Sequence, residues 1–138
     1  MRNYTTQMDA AKQGIITPEM KVVAAKEYRT AEEIRDLVAK GQVVICANKR
    51  HTCIDPNGVG SMLRTKINVN LGVSRDCKDY EIEMQKVMAA VNMGAEAIMD
   101  LSSHGNTQPF RRKLTSECPA MIGTVPVYDS VIHYQRDL

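Results

Sequence analysis

From residue 66 onward the chain alternates short apolar runs with longer amphipathic stretches, and that alternation admits few folds. Residues 66–71 (KINVNL), 97–101 (AIMDL) and 121–125 (MIGTV) have the length and composition of strands. Between them, residues 79–93 and 107–116 carry apolar positions at helical spacing, with Gly94 placed to end the first helix. A third helical stretch begins at Tyr128. Strand and helix in strict succession predict βαβ units and a parallel sheet with right-handed connections. A closed (β/α)₈ barrel needs about 250 residues, and the chain has 138. Three strands are expected to form part of such a barrel, because a sheet stopping on a half-built unit leaves an open edge.

The preceding residues follow a different pattern. Thr17-Pro18-Glu19 is a helix start, with Thr17 as N-cap and Pro18 in the first helical position. Thr30 and Glu33 have capping-box spacing ahead of a helix over 31–40, and Gly41 is placed to close it. Residues 43–47 (VVICA) read as one short strand, and 48–64 as a long loop. The expected organisation is an α-rich domain over 1–64, followed by the start of a (β/α)₈ barrel over 65–138.

Composition narrows the function classes. A net charge of +2 gives no basic footprint for nucleic acid. No apolar run approaches the roughly 20 residues that span a bilayer, and the N-terminus has no signal-peptide core, so a cytoplasmic location is expected. Cys46, Cys53, Cys77 and Cys118 form no CxxC pair, and His51, His104 and His133 have no metal-ligand spacing. Free thiols are expected, with no metal held by this chain. Lys49-Arg50-His51 reads as an exposed basic face.

In a parallel α/β sheet ligands bind beyond the carboxyl ends of the strands. That rule selects Asn68, Asn70 and Gly72, then Met99, Asp100, Ser102 and Ser103, then Thr124, Pro126 and Tyr128. Asn68 and Asn70 alternate with Ile67, Val69 and Leu71, so both face one side of the strand. An Asn carboxamide offers acceptor and donors to a heterocycle edge or a sugar hydroxyl. Asn68 could equally cap a loop, and Met99 could be core filler. Asp100 suits a base, a hydrogen-bond partner or a cap. The loop SSHGNT (102–107) can cradle a phosphate but lacks any phosphate-loop pattern. The residues alone thus predict a small-molecule site on a partial parallel barrel and name no reaction.

Four blocks carry a resemblance. YTTQMDAAKQGIITPEM (4–20), KINVNLGVS (66–74), GAEAIMDLS (94–102) and MIGTVPVYD (121–129) run in order along the chain and together resemble the ThiC family of thiamine biosynthesis. The segment 46–60 departs from the family's usual form. The resemblance implies a lyase that converts 5-aminoimidazole ribotide into the thiamine pyrimidine phosphate, with S-adenosylmethionine, a [4Fe–4S] cluster and a divalent metal (zinc) as cofactors. It implies that Asn70, Met99 and Tyr128 touch the substrate, with Asn68, Asp100 and Ser102 as further lining. The family's cluster cysteines and histidine metal ligands have no counterpart here and are expected beyond residue 138. No residue of this chain is therefore assigned a catalytic role, and the isolated chain is expected to be inactive. Two alternatives stand beside this reading. One is the related 5-hydroxybenzimidazole synthase. The other is a catalytically silent binding module that self-associates. The expected partner is the small-molecule substrate, with no nucleic acid and no membrane, and the chain is expected to form a homo-oligomer.

Overall fold

A computed structural model describes residues 3–134, which form two compact units. Of the described residues, the first comprises 3–48 and 56–65, the second 49–55 and 66–134.

In the first unit, α1 (Gln7–Lys12), α2 (Pro18–Lys26) and α3 (Ala31–Ala39) precede β1 (Val43–Cys46) and β2 (Asn57–Gly60). The caps are those the sequence predicts. The Thr17 hydroxyl accepts from the Met20 amide at 3.1 Å, with Pro18 in the first turn. Thr30 and Glu33 bond reciprocally. Gly41 adopts φ +71° and, with Gln42, returns amide bonds to the last turn of α3. Met20, Val23, Ile34, Val38, Val43 and Ile45 interdigitate as this unit's core.

Strand β2 replaces part of the expected loop. Asn57-Gly58-Val59-Gly60 has weak strand propensity, yet it pairs antiparallel along all of β1, Val44 opposite Val59. Its glycines permit close approach: a Cβ on Gly58 would stand 2.8 Å from Leu63 and 2.9 Å from Val23, and one on Gly60 would meet the Gln42 carbonyl.

In the second unit, β3 (Asn68–Leu71), α4 (Tyr80–Asn92), β4 (Ala97–Asp100), α5 (Gln108–Glu117), β5 (Met121–Thr124) and α6 (Pro126–Tyr134) alternate as expected. The sheet is parallel in the order β3-β4-β5. Val69, Ile98 and Ile122 are register partners on one face, and α4 (Met84, Val87, Ala90) and α5 (Phe110, Leu114) both pack there. Strands in sequential order with right-handed crossovers place every helix on the same side. The result is a mixed α/β chain with an open three-stranded parallel sheet, helix-covered on one face.

Residues 49–55 belong to this second unit. His51 is buried and bonds the Cys118 carbonyl through Nε2, and the Asp55 amide donates to the Pro119 carbonyl at 2.9 Å. His51 is thus not part of an exposed basic face. It covers a backbone carbonyl left open where α5 ends.

Candidate functional site

The face of the parallel sheet opposite α4 and α5 carries Asn68 and Asn70 from β3, Ala97 and Met99 from β4, and Met121, which is buried, and Gly123 from β5. Asn70, Met99 and Gly123 stand side by side, one per strand. Both asparagines are exposed. Asn68 Nδ2 donates to Asn70 Oδ1 at 3.3 Å, so they bond to each other. The Met99 thioether lies over Gly123, where a Cβ would come within 2.7 Å of Cε and 2.8 Å of Sδ. Tyr128 sits in the first turn of α6, half-buried, its amide bonded to the Val125 carbonyl at 3.0 Å.

Asp100 and Ser102 are placed differently. Asp100 follows Met99 and turns to the helix-covered face, where it is fully buried. One carboxylate oxygen accepts from Arg111 Nε at 2.8 Å and the other from the Ser102 amide at 3.0 Å. The Ser102 hydroxyl, also fully buried, accepts from the Val73 amide at 3.1 Å. Both side chains are committed to holding the strand ends. A signal for this was present in the sequence: Asp100 alternates with Met99, so the two cannot share a face.

Arg111 was not singled out by the sequence, yet it organises this end of the sheet. It bonds Asp100, next to Met99, and also Asp129, next to Tyr128. The Thr107 hydroxyl donates to Asp129 at 2.9 Å. Asn106 caps α5 in Thr107's place, its Oδ1 accepting from the Gln108 amide. Tyr80 donates to the carbonyls of His104 and Asn106 and stacks obliquely on Phe110, ring centres 5.0 Å apart. The loop 102–107 is therefore tied from several sides.

Burial pushes the Asp129 carboxyl up, but hydrogen bonds from Arg111 and Thr107 and the Arg111 charge outweigh it, leaving the group below its usual 3.8. A carboxyl depressed in the folded state stabilises the fold above its unfolded pKa, and that contribution is lost as pH falls through the folded value. Urea midpoints are therefore expected to decline below about pH 4. Asp129→Asn should flatten that decline. An equally steep fall in the variant would show that the Arg111 contact does not act this way. Asp9 and Glu33 are also depressed, chiefly by the backbone amides of Thr5 and Thr30, so only part of the slope should disappear.

The described residues do not fit an iron–sulfur cluster or a zinc ion. No three His, Cys, Asp or Glu side chains gather among them in an arrangement that could hold a metal. All four cysteines are free, and burial raises the Cys46 and Cys118 thiols above their ordinary value, away from the thiolate a metal requires. No helix among the described residues is long and apolar enough to cross a membrane.

A parallel α/β sheet with exposed asparagines on the face away from its helices has the arrangement in which α/β proteins bind small molecules. The particular family is fixed by comparison. The model of the radical SAM ThiC family matches residues 6–137, and the chain belongs to that family. It is 59% identical over 136 residues to a phosphomethylpyrimidine synthase of Clostridioides difficile, which covers 99% of this chain and 31% of that protein. Proteins of the same description from Clostridium kluyveri and Alkaliphilus oremlandii are 57% and 58% identical, again over 31% of their length. The chain thus spans about a third of the length of the curated relatives it matches. The family's name implies S-adenosylmethionine and an iron–sulfur cluster.

Proposed function

We propose that this chain supplies the first part of the substrate site of a phosphomethylpyrimidine synthase, a radical S-adenosylmethionine lyase acting on 5-aminoimidazole ribotide. The row Asn70–Met99–Gly123 on the uncovered sheet face carries the reading. Sequential parallel strands with helices on one side are what the wall of a (β/α)₈ barrel requires. A doubly wound sheet would reverse its strand order and place helices on both faces. The face away from α4 and α5 then becomes the barrel interior, and the first unit is the α-rich domain, without residues 49–55, which pack with the second unit. A homo-oligomer belongs to the same reading, whereas self-association through the open sheet edge belongs to the alternative of a catalytically silent module.

In this site the Asn70 carboxamide bonds the heterocycle edge or a ribose hydroxyl, with Asn68 holding its orientation. The Met99 thioether presents a soft apolar surface to the imidazole ring, and the Tyr128 hydroxyl bonds a polar group of the ribotide. Asp100 and Ser102 act behind the site. When bound, the cluster and S-adenosylmethionine would supply radical chemistry, and a zinc ion would complete the family's cofactor set. Their ligands would come from outside the described residues.

The test exchanges the matching segment of the Clostridioides difficile relative for this chain and follows ribotide conversion. Pyrimidine phosphate is expected from the chimera. Asn70→Ala should raise the ribotide Kd about tenfold, the loss of roughly one to two hydrogen bonds. A chimera that binds its cluster and cleaves S-adenosylmethionine but makes no pyrimidine would sink the proposal, and hydroxybenzimidazole as product would assign it to the related synthase.

A further inference from the structure

We infer that Gly123 is a positioning residue for the ligand site: its missing side chain sets where the Met99 thioether lies on the sheet face. The inference rests on the reading that Met99 touches the ribotide.

A glycine within a strand weakens it, because it adds backbone entropy to the unfolded chain and leaves nothing to pack. Its presence therefore asks for a cause, and two are common. One is a backbone angle that other residues resist. Gly123 lies inside β5 and its φ is outside the left-handed region, unlike Gly72 at +138° or Gly105 at +73°. The backbone at 123 does not require glycine. The other cause is space, and here the obstruction is specific. The nearest atoms to an added Cβ are Cε and Sδ of Met99, at 2.7 Å and 2.8 Å. At Gly72 the obstruction is backbone, the Ser102 amide and the Leu101 carbonyl carbon.

Met99 is on the central strand, and neighbouring strands are about 4.8 Å away on each side. Its side chain can lean over β3, toward Asn70, or over β5. It lies over β5, where Gly123 leaves room. The thioether is thereby placed against β5, and Asn70, on the strand to the other side, is exposed. A methyl group at 123 would displace the thioether toward Asn70 or outward. Met has three rotatable bonds and adapts readily, so the displacement changes the shape of the site while the fold remains.

The test uses this chain and the chimera, with Gly123→Ala, Met99→Ala and the double variant. Met methyl resonances of the chain, with Met99 assigned from its variant, report the thioether without any ligand. In Gly123→Ala the Met99 methyl signal is expected to shift while the urea midpoint stays the same or rises slightly, since alanine is the stiffer residue in the unfolded chain. In the chimera, Gly123→Ala should raise the ribotide Kd at least tenfold. Once Met99 is alanine, adding Gly123→Ala should change the Kd less than twofold, because the two substitutions act through one contact. An unmoved Met99 methyl, or a shifted methyl with unchanged ribotide affinity, overturns the inference. A chimera whose affinity is indifferent to Met99→Ala instead overturns the substrate reading, and the methyl signal still decides what Gly123 does to Met99.

Discussion

Gly72→Ala is expected to unfold the second unit at a much lower urea concentration than the parent chain. Gly72 follows β3 with φ +138°, a region that residues with a Cβ rarely adopt. Strain of this kind costs about 1–3 kcal/mol. The added Cβ would also stand 2.5 Å from the Ser102 amide nitrogen and 2.8 Å from the Leu101 carbonyl carbon. These are backbone atoms held in place: the Leu101 amide donates to the Leu71 carbonyl at 2.7 Å, and the Ser103 amide to the Val73 carbonyl at 3.0 Å. The Gly72 amide itself donates to the fully buried carboxylate of Glu83 at 2.8 Å. Parting the two segments would break these bonds, adding roughly another 1–3 kcal/mol. Gly94→Ala is the control. Gly94 also has a positive φ, +93°, but nothing lies within 4 Å of its added Cβ, so it reports strain alone. Equal losses from both variants, followed by far-UV circular dichroism, would show that the strand ends can separate freely.

Arg111→Met is expected to be the other severe substitution. The Asp100 side chain is wholly buried, and Arg111 is its only ion-pair partner among the described residues. Removing one member of a buried pair leaves an uncompensated charge and costs about 3–5 kcal/mol. The substitution also releases Asp129 from Arg111 at the start of α6, so the turn carrying Tyr128 loses this tether to β4. Lysine is a poor replacement, since a point charge cannot reproduce the fork that reaches both carboxylates. Adding Asp100→Asn to Arg111→Met should recover much of the loss, because the amide is neutral and its oxygen can still accept from the Ser102 amide. Thermal unfolding of the single and double variants decides it. A double variant no more stable than Arg111→Met would mean that the buried charge is not the source of the cost.

Both effects trace to contacts that linear reading handles poorly. Thr17, Thr30 and Gly41 were legible as helix signals because a cap acts within four residues of itself. The alternation of strands and helices from residue 66 was legible because side-chain period follows secondary structure. For the same reason Asn68 and Asn70 were predictable on a shared face. Strand β2 was not legible, since a glycine-rich tetrapeptide becomes a strand only when the free edge of β1 is available to it. Nor was the buried position of His51, whose carbonyl partner on Cys118 is 67 residues away.

Except for β2, the elements, their order, the caps at Thr17, Thr30 and Gly41 and the identity of the polar residues at the strand ends were readable from the chain alone. It also carried the family, through four blocks that keep their order along the chain. Which of the two faces each residue occupies relative to α4 and α5 came from the fold, which turns Asp100 and Ser102 into supports. It alone brought Arg111 to both carboxylates and laid the Met99 thioether over Gly123. The physical reason is range. Propensity, capping and periodicity act between residues a few positions apart, whereas burial, ion pairing and close approach depend on register between strands more than 20 residues distant in sequence.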